Sequence, residues 1–328
     1  MDVNVVGNGL VVNPGKAWVN QEVYALLSDG LLLPQGYIKQ MFLEQRVHSG
    51  TMALNAHHVL KPNQRLRLEG GVEEELPTAT KGPEMLSTMT EQGEVDLLYE
   101  DDHMLIANKP AHLLVHAGTS EDLDTLDDRV VWHFVGRGIR REVRHVHRLD
   151  RDTSGAVLYA THAYSARALD QMLADRQIHR KYLALVRGRL NPPSGVVDAP
   201  IGRDRHVSGR YRVSSTGKPA VTHYDTLAVR TVGNDAVSLV QCELTTGRTH
   251  QIRVHLLAMG CPVLGDRLYG GGNGVGLVRW ETGHALHAQN LYFLHPYTKQ
   301  EVMVHAPLPE NFLEAAVELK LDTYIESD

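Results

Sequence analysis

The stretch Arg144-His145-Val146-His147-Arg148-Leu149-Asp150-Arg151-Asp152-Thr153-Ser154-Gly155 constrains this chain more than any other. It packs two carboxylates among arginines and histidines and ends in a small Thr-Ser-Gly turn. The apolar run Ala156-Val157-Leu158-Tyr159-Ala160 follows at once, short and β-leaning, and reads as a strand. A charged loop is thus delivered by a strand, through a turn that Gly155 permits. Two readings of the loop compete. Asp150 and Asp152 could be members of a solvated salt-bridge patch, the usual fate of a charge run. Alternatively, Asp150 is held ionised by a fixed guanidinium and does covalent or acid/base work.

Charge distribution favours a polyanion partner. The net charge is −6, yet residues 137–218 carry 17 Lys and Arg against 7 Asp and Glu, and the remainder 16 against 32. A basic block inside an acidic protein predicts one face built for nucleic acid. No apolar run approaches a membrane span, and Met1-Asp2-Val3-Asn4 has no basic region before an apolar core, so no signal peptide is expected. Cys242 and Cys261 form neither a disulfide framework nor a spaced metal set, which predicts a reduced, cytoplasmic chain.

Along the chain, residues 1–20 show no periodicity, and residues 37–47 have apolar positions at helical spacing. Residues 70–93, with Glu73-Glu74-Glu75, read as an acidic linker. Val95 to Pro110 forms two β-like runs about an Asp-Asp turn. Ala163 to Gln177 predicts a helix with Ala166, Leu169, Met172 and Leu173 on its apolar stripe. Arg180 to Gly188 predicts a strand, and Ile201 to Ala220 an arginine-rich loop. Thr222–Thr226 and Ser238–Leu244 predict antiparallel strands. In Thr246-Gly247-Arg248-Thr249-His250-Gln251-Ile252-Arg253-Val254-His255-Leu256, Thr249 is the expected N-cap of a helix that Gly260 and Pro262 stop.

His-Arg-Leu-Asp followed two residues later by Thr-Ser-Gly resembles the catalytic motif of the RluA-type pseudouridine synthases. Further stretches agree in order: Lys109-Pro110 with Leu114-Val115-His116, Gly247-Arg248 with His250-Gln251-Ile252-Arg253, Pro262 to Gly270, His287-Ala288-Gln289 and Leu294-His295-Pro296. The resemblance spans about residues 95–310. It implies an α+β fold with a mixed, largely antiparallel sheet and flanking helices, isomerising uridines in structured RNA. It implies Asp150 as the acting carboxylate, Arg253 as its bidentate partner and Tyr182 as an aromatic wall for the base. The Lys-Pro motif is expected to be structural.

A target uridine must be flipped out of its helix, and Arg148 is the candidate to fill the vacated space. Arg144, Arg151, Arg180, Lys181, Arg203 and Arg248 are candidate phosphate contacts. Residues 1–75 resemble the small S4 RNA-binding fold, with Lys39, Arg46 and Lys61 as candidate contacts; the alternative is an accessory domain with a few surface cations. The expected organisation is an S4-like module at 1–75, a linker at 76–94 and a catalytic domain at 95–328. Ribosomal RNA is the favoured substrate, with transfer RNA next; no metal or organic cofactor and a monomer are expected. Three rivals remain: a metal hydrolase using His145-x-His147 or His250 and His255, a hydrolase using Asp152-Thr153-Ser154, and a catalytically silent RNA-binding module.

Overall fold

The computed structural model describes residues 1–70, 94–119, 122, 124–139, 141–275, 278–280 and 283–325. The acidic linker lies outside the described residues except for its two ends, Gly70 and Glu94. Strands β1 (Asp2–Val6) and β2 (Gly9–Asn13) form an N-terminal hairpin that residues 1–20 do not announce by period. Helix α1 (Gln35–Leu43) follows a helical turn at Val23–Ala25 and Leu26–Gly30. Strands β3 (Val47–Ser49), β4 (Met52–Ala53) and β5 (Leu66–Leu68) then complete a sheet ordered β1-β2-β5-β3-β4. Tyr37, Ile38 and Met41 of α1 are buried in its core, the inward face that the spacing predicts.

The second part is built on a ten-stranded sheet. Its first strands are β6 (Asp96–Glu100) and β7 (Met104–Lys109), antiparallel as expected, with the Asp101 carboxylate accepting from the His103 and Met104 amides to close the turn. Helix α2 (Leu126–Val135), unmarked in the sequence reading, starts at a capping box between Thr125 and Asp128. Next come β8 (Arg144–His145), β9 (Ser154–Ala160), α3 (Ala163–Ala174) and β10 (His179–Arg187). Strand β11 (Ser194–Asp198) leads to the arginine-rich stretch, which is a hairpin and not a plain loop: β12 (Ile201–Arg203) and β13 (Tyr211–Val213).

The long pair β14 (Val221–Val232) and β15 (Asp235–Leu244) precedes α4 (Gln251–Ala258). A short pair, β16 (Gly274–Val275) and β17 (Val278–Arg279), precedes β18 (Leu286–Leu294), β19 (Glu301–His305) and α5 (Glu310–Glu318). The large sheet runs β11-β14-β15-β10-β18-β9-β7-β6, with β19 on β18 and β8 on β9. Of its pairings only β9–β18 is parallel, so the sheet is mixed and largely antiparallel, with helices against it.

That parallel junction sits at the sheet's centre and sets where the charged loop emerges. Ser154 and Gly155 pair with His287 and Ala288. Gly155 has φ +111°, and a Cβ there would stand 2.2 Å from the Ala288 carbonyl oxygen, so only glycine lets the strands meet. Lys109 fastens the same loop. Its fully buried ammonium donates to the carbonyls of Pro110, Leu113 and Arg151 at 2.9, 2.7 and 2.9 Å. Burial pushes the amine down to about 7 against the pull of Asp150 and Asp152. The structural role expected of the Lys-Pro motif is thereby given a geometry: Lys109 ties the β7 end to the backbone beside Asp150.

The N-terminal part packs on α3. Tyr164 donates to the Glu69 carbonyl at 2.6 Å, the Tyr37 and Tyr164 rings meet edge-on at 6.0 Å, and the Arg167 guanidinium lies 3.8 Å from the Tyr37 ring centre. Replacing Gly155 by Ala imposes both strain and a clash, and should lower unfolding free energy by about 3 kcal/mol or more. The denaturant midpoint against that of the unsubstituted chain measures it.

Candidate active site

The cleft is built where three elements converge. The loop before β9 carries Asp150, β10 carries Tyr182 on its buried side, and α4 carries Arg253 on its first turn. All three line one cleft of about 1360 Å³, together with His250, Asp266 and His284. The α4 N-terminus departs from expectation. Thr249 is not the cap; His250 is, in the left-handed region at φ 57°, with no side-chain cap bond. The Gln251 side chain serves instead, its Oε1 accepting from the Arg248 amide at 3.0 Å and from Thr246 Oγ1 at 2.8 Å. This turn swings the His250 ring toward Asp150, a rare backbone state next to the chemistry.

Arg253 is the centre of the electrostatics. Its Nη1 donates to Asp150 Oδ2 at 2.8 Å. Its Nε and Nη2 grip Asp266 Oδ2 and Oδ1 at 2.6 and 2.9 Å. The bidentate contact expected with Asp150 is therefore made with Asp266. The geometric reason is that a guanidinium offers one fork to each neighbour, and the buried Asp266 takes the better-aligned one. The Tyr269 ring lies beneath, 4.9 Å from the guanidinium carbon. Burial disfavours charge on Arg253, and the carboxylates outweigh it, so its pKa is raised.

Asp150 is 23% exposed, open to a ligand in the cleft and shielded elsewhere. Burial alone would raise its pKa; the facing His250 and Arg253 groups more than offset this and hold it below the usual carboxylate range. His250 is itself pushed down by burial, so Arg253 supplies the standing positive charge at neutral pH. Tyr269 Oη accepts from the Tyr211 amide and lies 2.9 Å from His250 Nδ1, and burial lifts its phenol to about 12. The other ring nitrogen, His250 Nε2, stands 4.0 Å from Asp150 Oδ2. His284, pushed down to about 4 by burial, lies 2.7 Å from Thr153 Oγ1 and braces the turn. Tyr182 is buried, and burial raises its phenol pKa, so it is a neutral aromatic wall.

The candidate RNA contacts divide. Arg148, Arg151 and Arg248 are exposed along the cleft, and Arg180 is buried in its wall. Arg144 lines the cleft while paired with Asp170 at 2.6 Å. Lys181 is not a cleft residue: strand alternation sends it to the face opposite Arg180 and Tyr182. Arg203 stands outside the cleft wall on the β12–β13 hairpin, its Nε 3.4 Å from Tyr211 Oη. Lys39 and Lys61 are exposed. Arg46 is not available to a phosphate; it is buried, 5.0 Å from the Tyr37 ring centre and 3.1 Å from Glu44.

The hydrolase rivals fail on geometry. His147 is buried and accepts from the Leu158 amide, while His145 points elsewhere, so the His-x-His pair does not converge. His255 is buried against Thr222 and Ala199, away from His250's contacts. Ser154 bonds His287 Nδ1 at 2.8 Å, but both are buried in β9 and β18 and the other ring nitrogen is taken by the Ala306 carbonyl. Sequence reasoning gave no role to Asp266 or His284, and weighed His250 only as a rival metal ligand with His255. Asp266 lies in the quoted Pro262–Gly270 stretch, where a lone acid between Gly265 and Arg267 was the available signal.

A carboxylate kept charged by a doubly anchored arginine, beside a buried tyrosine and in an arginine-lined cleft, is equipped for acid/base or covalent work on an anionic ligand. Residues 103–258 match the RNA pseudouridylate synthase family. The chain is 36% identical over 307 residues to the uncharacterized RNA pseudouridine synthase YhcT of Bacillus subtilis, covering 94% of this chain and 96% of that protein. It is 40% identical over 238 residues to the ribosomal large subunit pseudouridine synthase D of Xylella fastidiosa, 70% of each. The solved human RNA Pseudouridylate Synthase Domain Containing 4 superposes with a TM-score of 0.56 at 26% identity, covering 72% of this chain and 95% of that one. The chain belongs to the RNA pseudouridine synthase family and is an enzyme of RNA modification, an isomerase.

Replacing Arg253 by Gln should cut kcat/KM by roughly a hundredfold or more, as loss of a preorganised charge does. With Asp150 required in its ionised form, activity is expected to fall as pH drops through its pKa. Removing the cation raises that pKa, and the acid limb of the kcat/KM profile should move to higher pH in Arg253→Gln.

Proposed function

We propose that this enzyme converts uridines of ribosomal RNA to pseudouridine, with Asp150 as the acting carboxylate. The observation that carries the assignment is the Asp150–Arg253–Asp266 chain of contacts at the base of the cleft. The isomerisation breaks the N1–C1′ bond and remakes the link from C5, which gives up its proton while N1 gains one, without redox change or energy donor. An ionised Asp150 either meets C1′ or removes a ribose proton. The developing charge on the sugar is then faced by a carboxylate whose ionisation is already secured. Tyr182 offers a flat apolar wall on which the freed uracil turns without leaving.

A flipped-out nucleotide leaves a gap in its helix, and the exposed Arg148, two residues from Asp150, is placed to enter it. The exposed Arg151 and Arg248 of the cleft would hold phosphates, which set register and not sequence. The likeness to ribosomal large subunit enzymes favours ribosomal over transfer RNA. The N-terminal part, S4-like in our reading, would add contacts through Lys39 and Lys61 and not through Arg46. Two buried, unpaired cysteines suit a reducing, cytoplasmic setting.

Pseudouridine mapping across total RNA of cells with and without the gene tests the substrate: a site lost from ribosomal RNA supports the reading, and one lost only from transfer RNA overturns it. In the purified protein, Asp150→Asn should abolish turnover and leave RNA affinity within about twofold, since phosphate contacts dominate binding. A silent binding module would lose neither.

A further inference from the structure

The cleft wall carries a second cluster that the isomerisation does not use. His116, on the chain between β7 and α2, places Nδ1 3.0 Å from Asp127 Oδ2. His145, in β8, places Nδ1 3.1 Å from both Asp127 oxygens. Both rings line the cleft. Among the described residues these three form the one group of His, Cys, Asp or Glu whose donor atoms converge, all within 4.8 Å of one another.

The backbone holds the cluster in place. The Asp127 amide donates to the Val115 carbonyl at 2.9 Å, which seats the acid beside His116. The capping box fixes the first turn of α2, where Asp127 lies. His145 pairs with Tyr159 across β8 and β9, and the Tyr159 hydroxyl donates to Asp127 Oδ1 at 2.9 Å. That hydroxyl donor orients the carboxylate. A ligating carboxylate held by an outer hydrogen bond is the usual arrangement at metal centres.

Geometry and ligand chemistry agree. A tetrahedral zinc ion bonded at roughly 2.0–2.2 Å separates its donors by roughly 3.3 Å. The nitrogen–oxygen separations here fall within a few tenths of an ångström of that edge. Two imidazoles and one carboxylate suit a zinc-class ion over magnesium, which prefers oxygen and retained water. Each imidazole binds the ion through the lone pair of Nδ1, so any proton held there leaves for Nε2 or for solvent. We propose that His116, Asp127 and His145 bind a divalent transition-metal ion of the zinc class. Its fourth position faces the cleft, where a phosphate oxygen of bound RNA completes the coordination. That last contact rests on the RNA reading of the cleft; the metal site does not. The ion touches no reacting atom and serves to hold the RNA.

Chelator-stripped full-length protein titrated with zinc chloride by calorimetry tests the site, with cobalt chloride as a visible-absorption probe of tetrahedral geometry. The wild type should bind one ion more than His116→Gln or Asp127→Asn, and only the wild type should show the tetrahedral cobalt bands. His116 is half exposed, so its substitution leaves the fold intact. Equal uptake by wild type and His116→Gln overturns the site and leaves the Asp150 chemistry standing. For the phosphate contact, affinity for a uridine-containing RNA hairpin is measured in Asp150→Asn. Zinc should tighten it severalfold there and not in Asp150→Asn combined with His116→Gln. Unchanged affinity overturns the phosphate contact.

Discussion

One guanidinium holds this site together. Arg253 is shared between Asp266, which grips it through two hydrogen bonds, and Asp150, which receives one. The asymmetry matters. A carboxylate with two parallel bonds and almost no exposure anchors the arginine, and the partly open one is left free to meet a ligand. Taking charges out of water is expensive, and an ion triad of this kind is weak evidence for stability. Its value is electrostatic: it fixes a positive charge beside Asp150 before any ligand enters the cleft.

The rest of the fold serves that placement. The parallel contact of β9 with β18 puts the Asp150 loop at the middle of the sheet, and Gly155 is the residue that allows the approach. Lys109 ties the end of β7 to the loop's own backbone, so two neighbouring strands fix the position of one carboxylate. On the opposite side, β12–β13 and α4 are joined through Tyr211, Tyr269 and His250, which close the cleft beside Asp150. Arg148, Arg151 and Arg248 are exposed along the cleft opening.

Much of this was legible because it is local. The charged loop followed by an apolar run gave Asp150 its place ahead of a strand, and the β6–β7 turn, α3 and β10 followed from period alone. Asp150, Tyr182 and Arg253 come together as the motif resemblance implies. What was not legible depends on distant partners. Asp266 has a role only because Arg253 lies against it, and nothing in its own neighbourhood requires that. Lys181 reads as one of a basic pair with Arg180, yet strand alternation turns it away. Arg46 looks like a surface cation and is instead packed on Tyr37. The hairpin at 2–13 has too little contrast between its faces to show a period, and β12–β13 is masked by its arginines. His116, Asp127 and His145 converge from three separated segments, so no spacing in the sequence marks them as a group.

The central claim is that Asp150 is ionised because Arg253 is fixed beside it. Carbon-13 NMR of aspartate carboxyl groups, assigned with Asp150→Asn and followed from neutral to acid pH, reads that ionisation directly. The account predicts that the Asp150 resonance titrates with a midpoint below 3.8, the ordinary value for the group. A midpoint at or above that value in the intact protein would contradict it.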